Sequence, residues 1–176
     1  MKRKYLELWK AWKGFPNWYS RFWNAEVWKE ITDEEWTKGV IAPFIVTHIA
    51  PALNCSIRLE LEDRDFILLK SGDELVHIEH ENKIDNAFSE LPKLHKSQAP
   101  IKCIVSYSEL DEIQEYVKLW FSPPIVNPER PKKNNEEWLL IFGIINSETE
   151  YMEKPTDWRG VCFYFENEKW QKQEIY

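Results

Sequence analysis

Apolar residues recur at helical spacing through the first fifty positions, and then the period drops to two. Leu6, Trp9, Trp12 and Lys13 share one helical face, as do Trp23, Val27, Trp28 and Ile31. Residues 5–30 therefore predict amphipathic helix, broken near Gly14-Phe15-Pro16-Asn17. Thr32-Asp33-Glu34-Glu35 reads as a capping box, with Thr32 as N-cap and Glu35 reaching back to it. A helix is expected from there through Trp36, Val40, Ile41, Phe44, Ile45 and His48, kinked or restarted at Pro43 and stopped by Pro51. Ile57, Leu59 and Leu61 then alternate with Arg58, Glu60 and Glu62, the mark of a half-buried strand. Residues 65–69 predict a second strand, Ser71-Gly72-Asp73 a turn, and 75–81 a third strand. Next come a helix over 84–97, despite Pro92, and a strand over 101–107. A helix over 109–121 carries Leu110, Ile113, Val117 and Trp120 as its apolar stripe. Pro123, Pro124, Pro128 and Pro131 mark 122–137 as a loop; strands follow at 138–145 and 161–165, then a polar tail. The order predicts an α/β fold, a central mixed β-sheet flanked by helices.

Composition narrows the function classes. The chain has 176 residues, suited to one domain, and no apolar run of membrane-spanning length. The basic start MKRKYLELWKAWK lacks the apolar core of a secretory leader, so a cytoplasmic location is expected. Cys55, Cys103 and Cys162 form no CxxC pair and read as buried, reduced thiols. The five glycines make neither a GxGxxG nor a GxxxxGK[ST] phosphate loop, which disfavours the usual nucleotide-binding enzymes. Charge is uneven: residues 1–23 carry net +5 in a chain of net −7, and ten tryptophans are present. This divides the chain into a basic, Trp-rich helical extension over 1–31, packed on the core, and an α/β domain over 32–176. The lysines are expected to face out and Trp9, Trp12, Trp18 and Trp23 to pack.

The chemistry concentrates in the third strand. His77, Glu79 and Glu81, with Lys83 just beyond, share one face of it; Val76, Ile78 and His80 share the other. Adjacent carboxylates on a strand repel unless something pairs with them, and a hard divalent cation does so. A hairpin loop of odd length would set Asp65 opposite Glu79 on the same face, whereas a two-residue loop would turn Asp65 away. The competing reading is a solvated charged face, which suits Glu60 and Glu62. His77 is placed to assist a metal and His80 to pack. Lys102 reads as solvated, and Arg130-Pro131-Lys132-Lys133 as a phosphate-contacting or merely solvated loop.

This arrangement resembles the PD-(D/E)xK nuclease superfamily, whose restriction-endonuclease-like core runs α-β-β-β-α-β. The resemblance covers about half the chain and implies a metal-dependent nuclease acting on nucleic-acid phosphodiesters. Asp65 and Glu79 would hold Mg²⁺ or Mn²⁺, and Glu81, standing where the family has lysine, would position or deprotonate water. Lys83, from the literal Glu81-Asn82-Lys83, could reach the site, and Glu35 would assist from the preceding helix. Arg64 stands where the family has proline. The implied partner is nucleic acid, DNA ahead of RNA, with no membrane and with a homodimer left open. The alternative is a catalytically inactive interaction protein on the same fold, binding a protein partner through a Trp-rich surface.

Overall fold

A computed structural model of the chain describes residues 3–22, 36–60, 65–127, 135–145, 155 and 157–176. Thr32, Glu35, Trp23, Val27, Trp28, Ile31 and the basic loop 130–133 lie outside the described residues. The N-terminal helix divides where its sequence breaks. Helix α1 (Lys4–Trp12) ends as the Lys13 and Gly14 N–H groups bond back to the Trp9 and Ala11 carbonyls, and α2 (Phe15–Phe22) starts at once. Gly14 is required there, because a Cβ would collide with the His48 ring of the next helix.

Helix α3 (37–52) runs straight through Pro43, with helical dihedrals on both sides. Pro43 has no N–H to give. The chain accommodates this with wider turns: the Ala42 N–H bonds Thr37 and the Ala50 N–H bonds Ile45, each five residues back. Thr47 Oγ1 donates to the Pro43 carbonyl at 2.7 Å. Pro51 does not end this helix, contrary to expectation. Asn54 does, at φ 54°, where the Cys55 N–H reaches Ala50 and the Asn54 N–H reaches Pro51 in a Schellman closure.

The strands β1 (Ser56–Glu60), β2 (Asp65–Lys70), β3 (Asp73–His80), β4 (Ile101–Ser108), β5 (Glu137–Ile144), β6 (Asp157–Glu166) and β7 (Lys169–Ile175) form one seven-stranded sheet in chain order. The first three are an antiparallel meander, β3, β4 and β5 are parallel, and β5 to β7 are antiparallel. Helices α4 (84–96) and α5 (113–125) make the two parallel crossovers. Strand β7 is absent from the sequence reading, which saw only a polar tail. Only Trp170 and Ile175 of its seven residues are apolar, so it shows no alternation, and its turn, Asn167-Glu168 at φ 51° and 63°, lacks the usual glycine. Helix α5 also differs. It starts at Ile113 and continues past Pro123 and Pro124 to Ile125, and it buries Ile113, Val117, Phe121 and Ile125 while leaving Leu110 and Trp120 exposed. The Ser122 N–H bonds Val117 five residues back, and that wider turn keeps a four-residue step on one face.

Each face of the sheet carries its own core. Helices α1, α2 and α3 cover the first with Tyr5, Trp9, Trp12, Phe15, Trp36 and Phe44, which pack on Phe66, Leu68, Val76, Ile78, Cys103, Tyr107 and Trp158. Helices α4 and α5 cover the second with Ile84, Leu91, Leu94, Val117 and Phe121 over Ile104, Trp138, Leu140 and Phe142. The result is a three-layer α/β/α arrangement. Among the described residues no helix is long and apolar enough to cross a membrane.

Candidate functional site

The hairpin between β2 and β3 decides which carboxylates can meet. Its loop has two residues, Ser71 and Gly72 at φ 56° and 90°, and Lys70 pairs with Asp73. On that register alone Asp65 would fall on the Ile78 side. A β-bulge intervenes: Leu69 pairs with Glu74 but Leu68 pairs with Val76, so Leu75 is the extra residue. The register then runs Ile67 to His77 and Phe66 to Ile78, and one further step sets Asp65 opposite Glu79. The condition that a two-residue loop separates these acids is therefore corrected, because one bulge restores the parity that the loop removes.

Strand β3 sorts its side chains as its alternation requires. Val76 and Ile78 enter the first core, while His77 and Glu79 lie on the second face. Glu79 is almost fully buried. Its Oε1 lies 3.0 Å from His77 Nε2, and its Oε2 lies 3.6 Å from Lys93 Nζ on α4. Lys93 is also held by Glu90, one helical turn back, at 2.7 Å. Glu81 continues the ladder past β3, its N–H bonded to the Val105 carbonyl at 2.9 Å, with the parity of Glu79 and partial exposure. Lys83 is exposed at the N-cap of α4, where its carbonyl accepts from Asn86 and Ala87. Glu35 lies outside the described residues.

The neighbouring strands extend this polar strip. Lys102 sits beside His77 in the β3–β4 register. Instead of being solvated it is fully buried, with Nζ 3.0 Å from the Ala99 carbonyl and 3.5 Å from Glu136 Oε2. Glu136 accepts from Trp138 Nε1 at 2.6 Å, and the Trp138 ring lies 5.8 Å from the Lys102 ammonium. Four buried ionisable side chains thus lie in the order Glu79 and His77 on β3, Lys102 on β4 and Glu136 just before β5. Lys93, Glu90 and Glu136 are the residues that sequence reasoning missed. The Lys93 signal was available as the i, i+3 pair on a helix facing the acidic strand. Glu136 carried none, because it lay in a segment read as loop.

His80 takes the opposite face, as its parity predicts. Trp36 Nε1 donates to the Tyr107 hydroxyl at 2.7 Å, and this hydroxyl lies 2.9 Å from His80 Nε2. Indole only donates, so the Tyr107 oxygen accepts from Trp36. His80 Nδ1 lies 3.2 Å from Thr37 Oγ1, which also accepts from Asn82 Nδ2. The imidazole is held between Tyr107 and Thr37 as a structural link. Burial pushes the Tyr107 hydroxyl well above the ordinary tyrosine range, against the opposing pull of the Trp36 hydrogen bond.

Chemically, the strip offers an oxygen donor in Glu79, a histidine that orients it and a cation that can leave it. Lys93 keeps its Glu90 partner if Glu79 Oε2 turns to another ligand. Among the described residues no group of three or more His, Cys, Asp or Glu is gathered as a ready metal cage. Cys103 and Cys162 are buried and Cys55 half-buried, with burial raising all three thiols, so none is an activated nucleophile. Compared with protein-family models, curated proteins and solved structures, the chain has no match.

Proposed function

We propose that the protein is a metal-dependent nuclease-like protein of the PD-(D/E)xK type, hydrolysing nucleic-acid phosphodiesters, DNA ahead of RNA. The observation that carries this reading is the bulge at Leu75, after which the register, carried one step past Phe66 and Ile78, matches Asp65 with a buried Glu79. The order α3, β1, β2, β3, α4, β4 fits the restriction-endonuclease-like core. In this reading Asp65 and Glu79 hold Mg²⁺ or Mn²⁺, His77 orients Glu79, and Glu81 positions or deprotonates the attacking water. The cation lowers the pKa of that water and offsets charge at phosphorus. Lys93 supplies a positive charge beside Glu79 that the Glu81 position lacks. Lys83 and Glu35 keep assisting roles. Exposed Lys4, Lys10 and Lys13 give the N-terminal region phosphate contacts, while Arg3 is engaged with Glu166 and the Tyr164 ring. A cytoplasmic setting suits this activity.

Incubation with plasmid and single-stranded DNA in Mg²⁺ or Mn²⁺ tests the reading. Cleavage should need the metal, stop with a chelator, and be lost in Asp65→Asn and Glu79→Gln variants that keep the wild-type circular dichroism. Cleavage that survives Glu79→Gln overturns the assignment. A second reading is the inactive interaction protein, and here one observation redirects it. Trp9, Trp12 and Trp18 are buried in the first core, so an exposed aromatic surface must be sought at Phe88 and Trp120 instead.

A further inference from the structure

Helices α4 and α5 leave a small depression between them, away from the Glu79 strip. Ile84 and Phe88 from α4 line it, with Tyr116 and Trp120 from α5, and Asp85 stands at its rim. Its volume is ≈ 250 Å³. That is below the roughly 300–1,000 Å³ typical of drug-sized ligands, so it suits a single headgroup. Ile84 forms a buried floor. Phe88 and Trp120 are 38% and 48% exposed, although each is large enough to bury elsewhere. Their rings meet edge to face, with centroids 5.5 Å apart and planes 71° apart, so they stand as two walls at nearly a right angle.

Three aromatic side chains line this apolar depression, and the face of an aromatic ring carries negative quadrupole potential. The charge at the rim has the same sign. Asp85 lines the depression, and Glu112 and Glu115 lie close enough to act on the Tyr116 hydroxyl. Tyr116 is held protonated above its usual range by burial first and then by Asp85 as acceptor. A neutral apolar ligand would gain nothing from this acidic rim, and an anion would be repelled. An ion that is positive, weakly hydrated and surrounded by methyl groups satisfies both the rings and the carboxylates.

We propose that Phe88, Tyr116, Trp120 and Asp85 form an aromatic cage that binds a quaternary or methylated ammonium group. The site is independent of the nuclease reading and shares none of its residues.

The test follows the Trp120 indole N–H resonance, identified by its loss in Trp120→Phe, during titration with choline and with 3,3-dimethylbutan-1-ol. The alcohol has the same shape without the charge. Choline should shift this resonance and bind roughly two- to thirty-fold more tightly than the alcohol, the span of cation–π contacts from exposed to desolvated sites. Asp85→Asn should weaken choline but not the alcohol, and Phe88→Ala, a surface change, should weaken both. Blocked trimethyllysine, titrated against blocked lysine, distinguishes the sources: binding tighter than choline points to a methylated side chain, and equal binding to a free headgroup. Equal affinity for choline and the alcohol, or no shift of the Trp120 resonance with any of these probes, overturns the proposal.

Discussion

The two faces of the sheet bury polar groups in different ways. Under α1, α2 and α3 the buried chain of Trp36, Tyr107, His80, Thr37 and Asn82 runs through neutral groups, set among aromatic rings. Under α4 and α5 the buried polar groups include Glu79, His77, Lys102 and Glu136, which carry or can carry full charge. Neutral hydrogen bonds contribute modestly, about 0.5–1.5 kcal/mol each. Burying an ion pair is often no better for stability than apolar side chains of the same volume. Apart from Glu137, whose carboxylate takes the Tyr5 N–H at the start of α1, the first face is therefore explained by folding alone. The second keeps a more costly solution, on the strand face that carries Glu79.

The largest effect expected from this contrast comes from unpairing a buried charge. Lys102→Met removes the cation 3.5 Å from the buried Glu136 and should cost about 3–5 kcal/mol in urea denaturation. The double variant Lys102→Met with Glu136→Gln should regain most of that loss, because neither position of the pair then carries a charge. A double variant as unstable as the single one would show that packing of the lysine stem, not its charge, sets the cost.

On the neutral face the expected cost is smaller. Tyr107→Phe leaves Trp36 Nε1 and His80 Nε2 without their shared partner, for about 1–3 kcal/mol. Guanidinium denaturation measures it. A loss as large as that of Lys102→Met would erase the distinction between the faces.

A subtler test lies at the start of β5. Burial raises the Glu137 carboxyl above its ordinary value, opposed by the Tyr5 N–H at 2.8 Å and by Arg3 and Lys4. A raised folded pKa means that the folded state holds the proton more tightly. Stability from this group is thus fullest below the unfolded pKa and falls as pH rises to the folded one. Glu137→Gln keeps an acceptor for Tyr5 and should flatten that decline in a pH series of melting temperatures. An unchanged slope would assign the decline to other carboxylates.

Several of these features could be read before the fold was known, and others could not. Alternation in β3 is a local property, so the opposite faces of His77 and His80 were legible. The break at Gly14 was legible too, because glycine and proline act on their own residues. The hairpin register was not, since Leu75 looks like any strand leucine and a bulge is chosen by pairing across two strands. The burial of Lys102 depends on Glu136 and Trp138 from a different strand, and a lysine in isolation reads as solvated. The α5 stripe was misplaced because the prolines at its end imply a stop, whereas both fit in its last turn. The inward parity of Glu79 was thus legible from the strand pattern, while its cationic neighbour Lys93 required the packing of α4 on the sheet.

The central claim is that the charged face is kept for a divalent cation, and melting with and without metal tests it most directly. A site filled tenfold above its dissociation constant adds about 1.4 kcal/mol, or roughly 3–5 °C for a chain of this length. Millimolar Mg²⁺ or Mn²⁺ should raise the wild-type melting temperature by that order, and Glu79→Gln should remove the rise. A wild-type melting temperature that ignores both metals, or a rise that persists in Glu79→Gln, would contradict the account.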